Sequence, residues 1–188
     1  MHELGEDGGF PWKLVVTYDE QRAKEIYDDF RSFTRQVWLY PAKDLLFYAA
    51  DIHGNLMTRQ RISVLRHLME DGGVVVTTID GLMDHLMPLA FLKQHAVTVE
   101  CGQVIELDQW KERLTELGYE RTGQVDGMGQ FSIRGGIIDI FPLTEEVPVR
   151  IELWDDEVDS IRTFDPESQR SVEQLDRVVI YPASETVL

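Results

Sequence analysis

The chain has 188 residues, 43% of them hydrophobic and 28% charged, which is the composition of an ordinary globular protein. Its 18 Lys and Arg stand against 34 Asp and Glu, a net charge of −16, and nucleic acid and anionic membrane surfaces repel such a chain as a whole. A single cysteine excludes an internal disulfide and fits a reducing cytosol. No apolar run reaches the roughly 18 residues that a membrane span needs. Residues 1–9 are acidic and glycine-rich, unlike a signal peptide.

Residues 13–17 read as a buried strand, with Leu14, Val15 and Val16 in a row. Asp19 is placed to cap a helix on which Ala23, Ile26, Tyr27, Phe30 and Phe33 fall on one face. Residues 37–40 read as a second strand, stopped by Pro41, and residues 51–55 read as loop. Thr58 is placed to cap a helix with a buried stripe of Ile62, Leu65, Leu68 and Met69, ended by Gly72 and Gly73. Residues 74–78 read as a third strand, and residues 80–87 as a short helix closed by Pro88. Strands alternating with helices imply parallel βαβ units, so the first half is α/β.

The second half has another rhythm. Asp108 is placed to cap a helix carrying Trp110, Leu114 and Leu117, and Gly118 terminates it. Strands follow at 130–134, 136–143, 147–154, 159–164 and 177–181, with residues 144–146 turning the second into the third. One helix and a run of antiparallel strands make an α+β unit. The charge divides with the rhythm. Residues 1–98 hold 10 cations and 14 acids, a net of −4, whereas residues 99–188 hold 8 and 20, a net of −12. After Lys111 every cation is an arginine, the residue that pairs bidentately with carboxylates.

Several chemistries are missing. The chain has no G-x-x-x-x-G-K-S/T phosphate loop and no G-x-S-x-G nucleophile elbow. His2, His53, His67, His85 and His95 show no metal-ligand spacing. The acids Asp155, Asp156, Glu157 and Asp159 lack an EF-hand's spacing and read as a solvated turn. Cys101 reads as a small buried hydrophobe. These absences favour a binding module over an enzyme.

Strand parity identifies a candidate surface. Side chains alternate across a strand, so Val149, Ile151 and Leu153 face the core while Arg150, Glu152 and Trp154 face away from it. By the same count Phe131 and Ile133 point inward, and Ser132 and Arg134 point outward, next to a bulge expected at Gly135 and Gly136. A tryptophan opposite an aliphatic stripe requires either a covering layer or a protein partner, and Trp and Arg dominate interface hot spots. A few arginines around it form a local positive spot suited to a carboxylate-bearing partner.

The run from Gly118 to Ser171 carries G-Y-x-R, Q-F-S-I-R-G, D-I-F-P, R-I-E-L, D-D-E-V-D-S-I-R and F-D-P-x-S-Q-R-S. It resembles the N-terminal module of the bacterial transcription-repair coupling factors (Mfd), itself similar to the excision-repair helicase UvrB. "YPAKDLLFY", "TRQRISVLRHL" and "VVVTTIDGLM" in the first half agree, so the resemblance covers residues 12–186. It implies a partial RecA-like α/β domain without a Walker A loop over residues 1–101. A small α+β domain resembling UvrB domain 2 follows over 102–182, and 183–188 form a return segment. It also implies a bacterial cytoplasmic protein whose module binds the excision-repair ATPase UvrA and recruits it to stalled RNA polymerase. Polymerase and DNA are engaged through other domains of a longer ATP- and Mg²⁺-dependent translocase. The fragment is then expected to be no enzyme and to need no cofactor. The residues matching the family's UvrA contacts are Arg121, Arg134, Arg150, Glu152 and Trp154. UvrB has an arginine where this chain has Ser132. In the family a C-terminal domain is thought to mask the surface. The alternative reading is an ATP-dependent helicase fragment of the UvrB type, against which the missing Walker loop argues. Tyr40, Phe47 and Tyr48 lie near the place of UvrB's damage-clamping hairpin without its pattern, and read as core.

Overall fold

The computed structural model describes residues 12–43, 51–84 and 87–185, except the side chains of 51–55. Phe47 and Tyr48 lie outside the described residues. The chain divides into two units, residues 1–89 and 90–188, so the division comes earlier than the one expected after Cys101.

The first unit is built on a parallel sheet. β1 (Trp12–Thr17), β2 (Val37–Tyr40) and β3 (Gly73–Thr78) stand in the order β1-β3-β2. The helix α1 (Glu20–Arg31) starts where expected, because the Asp19 carboxylate accepts from the Arg22 amide at 2.7 Å. Its Ala23 packs with Val37 and Val76, flanked by Ile26, Tyr27 and Phe30. Phe33 lies beyond the end of that helix and is exposed. The helix α2 (Asp51–Glu70) begins earlier than its composition implied. Residues 51–55, expected to be loop, are therefore helical, and Thr58 sits inside the helix rather than capping it. From α2 the fully buried Arg61 donates to the Pro41 carbonyl at 2.8 Å and to Asp84 Oδ2 at 3.0 Å, with its guanidinium 4.3 Å from the centre of the Tyr40 ring. Thr78 caps the short α3 (Ile79–Met83) by accepting from the Gly81 amide.

The helix α4 (Leu89–His95) leads to β4 (Val97–Glu100) and α5 (Leu107–Glu116). Asp108 falls in the first turn of α5 rather than at its cap, which is Glu106 and makes no side-chain capping bond. Gly118 ends the helix with φ +88, and a Cβ there would stand 2.7 Å from that of Ser184. Next come β5 (Glu120–Arg121), β6 (Gln130–Arg134), β7 (Ile137–Ile140), β8 (Val149–Trp154), β9 (Glu157–Phe164) and β10 (Ser171–Leu175). They form one sheet in reverse chain order, antiparallel except where β5 joins β6. The last strand, β11 (Arg177–Ile180), leaves that sheet and pairs antiparallel with β4. β4, β5 and β10 were not expected from the sequence. Cys101, expected to be buried, is exposed in the turn after β4.

The core lies on one face of the six-stranded sheet. Phe131, Ile138, Ile140, Val149, Ile151 and Ile161 meet Leu114 and Leu117 of α5 and Val99, Val178 and Ile180 of the small sheet. The buried Tyr119 hydroxyl donates to the Tyr181 carbonyl at 2.8 Å, tying the segment after β11 to the helix end, and burial pushes its phenol well above the ordinary range. Among the described residues no helix is long and apolar enough to cross a membrane, and no group of three His, Cys, Asp or Glu could hold a metal ion.

Phe131 is fully buried at the centre of this core. Phe131→Ala is expected to destabilise the fold by about 3–5 kcal/mol, read from chemical denaturation followed by tryptophan fluorescence.

Candidate functional site: the outer face of the six-stranded sheet

The register agrees with the parity argument for Arg134, Arg150, Glu152 and Trp154. Ser132 stands opposite Asp139, and Asp139 opposite Arg150. Arg134 stands opposite Ile137, and Ile137 opposite Glu152. Arg134, Arg150, Glu152 and Trp154 therefore share the face turned away from the core. Arg121 does not join them, because β5 pairs it with Phe131, a residue of the inner face. It is exposed on the short edge strand.

The face is organised by a residue that sequence reasoning missed. Asp139 is 1% exposed in its side chain. Its Oδ1 accepts from Arg150 Nε at 2.7 Å, and its Oδ2 accepts from Arg150 Nη2 at 2.9 Å and from Arg134 Nη2 at 2.8 Å. The first two bonds form the bidentate fork that carboxylates and guanidinium groups prefer. Arg150 is held on further sides. Its guanidinium donates to the Gln169 backbone carbonyl and side-chain amide oxygen, both at 3.3 Å, and stacks 4.6 Å from the centre of the Phe164 ring. The bond to Asp139 raises its already high pKa. Only 14% of the Arg150 side chain is exposed, against 49% for Arg134.

A small second core supports this arrangement. Val125, Phe141 and Phe164 are buried together with Met128 against them. Gln169, at φ +60, donates to the Val125 carbonyl at 3.3 Å and to the Pro166 carbonyl at 2.8 Å. The Asp165 carboxylate accepts from the Ser168 amide at 2.6 Å, which holds its pKa below the ordinary value and fixes the loop that carries Gln169. Ser132 is buried, and its hydroxyl donates to the Gly123 carbonyl at 3.2 Å, so this position offers a partner nothing directly.

Further along β8, Glu152 Oε2 accepts from the Ser160 hydroxyl at 2.8 Å and lies 3.6 Å from Arg162 Nη2. Arg162 stands opposite Arg150 and belongs to the same face, another residue not singled out from the sequence. Trp154 is 81% exposed, so no layer among the described residues covers it. Gly135 and Gly136 form a two-residue hairpin turn rather than the expected bulge. Arg134 pairs directly with Ile137, and Gly135 adopts φ +59, as such turns require. The Leu153 amide donates to the Gly136 carbonyl at 2.7 Å, so this turn lies beside the tryptophan end of β8. The acids of the 155–157 turn follow at once.

The positive spot is therefore smaller than the arginine count implied. Three arginines, Arg134, Arg150 and Arg162, are met by two carboxylates, Asp139 and Glu152. The surplus is one charge. The face suits a partner that offers a carboxylate to Arg134 and an apolar seat to Trp154.

Comparison with known proteins agrees with this architecture. Residues 97–185 match the family described as the UvrB interaction domain. The match covers most of the second unit, residues 90–188. Over 178 residues, 93% of its length, the chain is 40% identical to a transcription-repair-coupling factor of Bacillus subtilis. It is 35% identical to those of Staphylococcus aureus and Staphylococcus haemolyticus. The chain spans 15% of the length of these relatives. The matched residues take in the whole six-stranded sheet and the β4–β11 pair.

The two anchors of the face differ in what they do for stability. Arg150→Ala removes the bidentate partner of a buried carboxylate and is expected to cost about 3 kcal/mol or more. Trp154→Ala removes an exposed side chain and is expected to stay within about 0.5 kcal/mol. Parallel denaturation curves of the two variants check both values.

Proposed function

We propose that the chain is the UvrA-binding part of a transcription-repair coupling factor, and that it recruits UvrA to RNA polymerase stalled at DNA damage. The observation that carries this reading is the open Trp154 beside a half-exposed Arg134 whose guanidinium is already oriented. A large exposed aromatic on a rigid strand is the type of group that forms a hot spot once a partner desolvates it. The names of the relatives and of the matched family point the same way. The partner's carboxylate meets Arg134, while Arg150 acts mostly from beneath.

In this reading the first unit is part of a RecA-like domain, supported by its β1-β3-β2 parallel order. It works without nucleotide, since no phosphate loop follows β1. ATP, Mg²⁺, polymerase and DNA belong to other domains of the longer factor, in the bacterial cytoplasm. The rival reading, an ATP-dependent helicase fragment, requires nucleotide binding by this chain.

Calorimetric titration of purified UvrA with the chain tests the proposal. Trp154→Ala is expected to weaken binding by about 2 kcal/mol or more, roughly 30-fold, with unchanged circular dichroism. Wild-type affinity in that variant would show that the face is not the interface. Tight, Mg²⁺-dependent binding of a fluorescent ATP analogue would favour the helicase reading instead.

A further inference from the structure

We propose that Asp139 is a positioning residue for partner binding: its buried carboxylate fixes the Arg134 and Arg150 guanidinium groups before the partner arrives. The inference rests on the outer face being the UvrA-binding surface, and it assigns that face's order to a residue no partner reaches.

Three observations carry it. Asp139 sits on the central strand between β6 and β8, on the outer side, and is 1% exposed. It therefore contributes nothing by direct contact. It accepts three hydrogen bonds at 2.7–2.9 Å from two arginines on two different strands. These bonds fix the spacing between the two guanidinium groups. Finally, the two arginines differ in what they have left to give. Arg150 is enclosed by Asp139, Gln169 and Phe164. Arg134 engages Asp139 through Nη2 alone and is half exposed.

An arginine side chain free in solvent samples many rotamers, and a partner must freeze them on binding. Arg134 reaches diagonally across the β6–β7 ladder to Asp139, which stands opposite Ser132, so its head is held before any contact is made. Asp139 thus lowers the ordering cost of binding without touching the partner. Its negative charge also cancels one of the two arginine charges. It therefore tunes the face toward a single carboxylate and away from polyanions such as nucleic acid.

The test uses Asp139→Asn, which keeps the volume and one acceptor oxygen but places an NH₂ where Oδ1 or Oδ2 receives an arginine. Circular dichroism and the unfolding midpoint establish that the variant folds. UvrA affinity is then measured for wild type, Asp139→Asn, Arg134→Ala and the double variant, with Trp154→Ala beside them. The expected result is a loss of about ten-fold or more in Asp139→Asn. The double variant should bind little worse than Arg134→Ala alone, because the aspartate acts through that arginine. Asp139→Asn combined with Trp154→Ala should instead be additive. Wild-type affinity in Asp139→Asn, or additivity with Arg134→Ala, would overturn the proposal. A wild-type chain that does not bind UvrA would overturn the functional reading beneath it. A second measurement is independent of the variant's folding. The Arg150 Nε–H signal in ¹⁵N relaxation spectra of the free wild-type chain should be as ordered as the backbone, and a mobile side chain there sinks the preorganisation argument.

Discussion

A buried carboxylate on the outer side of a β-sheet constrains everything around it. Asp139 is flanked along its strand by Ile138 and Ile140, both in the core. Slipping β7 by one residue would drive the charge into that core and expose two isoleucines. Stranding such a charge costs several kcal/mol, so the register of β6, β7 and β8 is fixed from both faces. The inner face demands the isoleucines, and the outer face demands that the arginines of β6 and β8 meet the aspartate. Phe164 and the Gln169 loop then complete the enclosure of Arg150, which would otherwise be a half-desolvated cation with donors unmet.

The same constraint reconciles a strongly acidic unit with an arginine-rich surface. The arginines are not a basic patch in the sense that binds phosphate backbones. They are largely counterions of the sheet's own carboxylates, with Arg150 enclosed and Arg134 the most exposed of the three. Long-range repulsion from the acidic unit discourages polyanions, while a short-range, oriented guanidinium and an open indole select by geometry. Affinity of this kind depends on fit and desolvation at a small centre more than on total charge.

Much of this was readable in the residues. The alternation of Val149, Ile151 and Leu153 with Arg150, Glu152 and Trp154 sufficed to predict the two faces of β8, because strand geometry allows no other arrangement. Asp19 and Gly118 marked helix ends by local chemistry. Helix α2 began earlier than expected because a stretch containing Gly54 carries only a weak local helix signal. The short edge strands β5 and β10 carried no hydrophobic alternation, since both are mostly exposed. Asp139 left a trace that could have been followed. A lone acid inside I-I-D-I-F must find a cation, and arginines were the only cations nearby in sequence. Gln169 left none, for its role arises from a left-handed backbone and from contacts to Val125 and Arg150, distant in the chain. Arg121 came from a motif match alone, and its exposed place on the edge strand β5 could not be read from strand parity.

The first and last strands of the second unit, β4 and β11, are hydrogen-bonded to each other. Chain entry and exit are therefore neighbours, about 5 Å apart across one ladder. Beyond β11 the Ala183 amide donates to the Leu117 carbonyl at 2.7 Å, closing the loop on the far side. A domain with this geometry behaves like a plug-in cassette. It can be carried on a surface turn of a host without prying the host's ends apart.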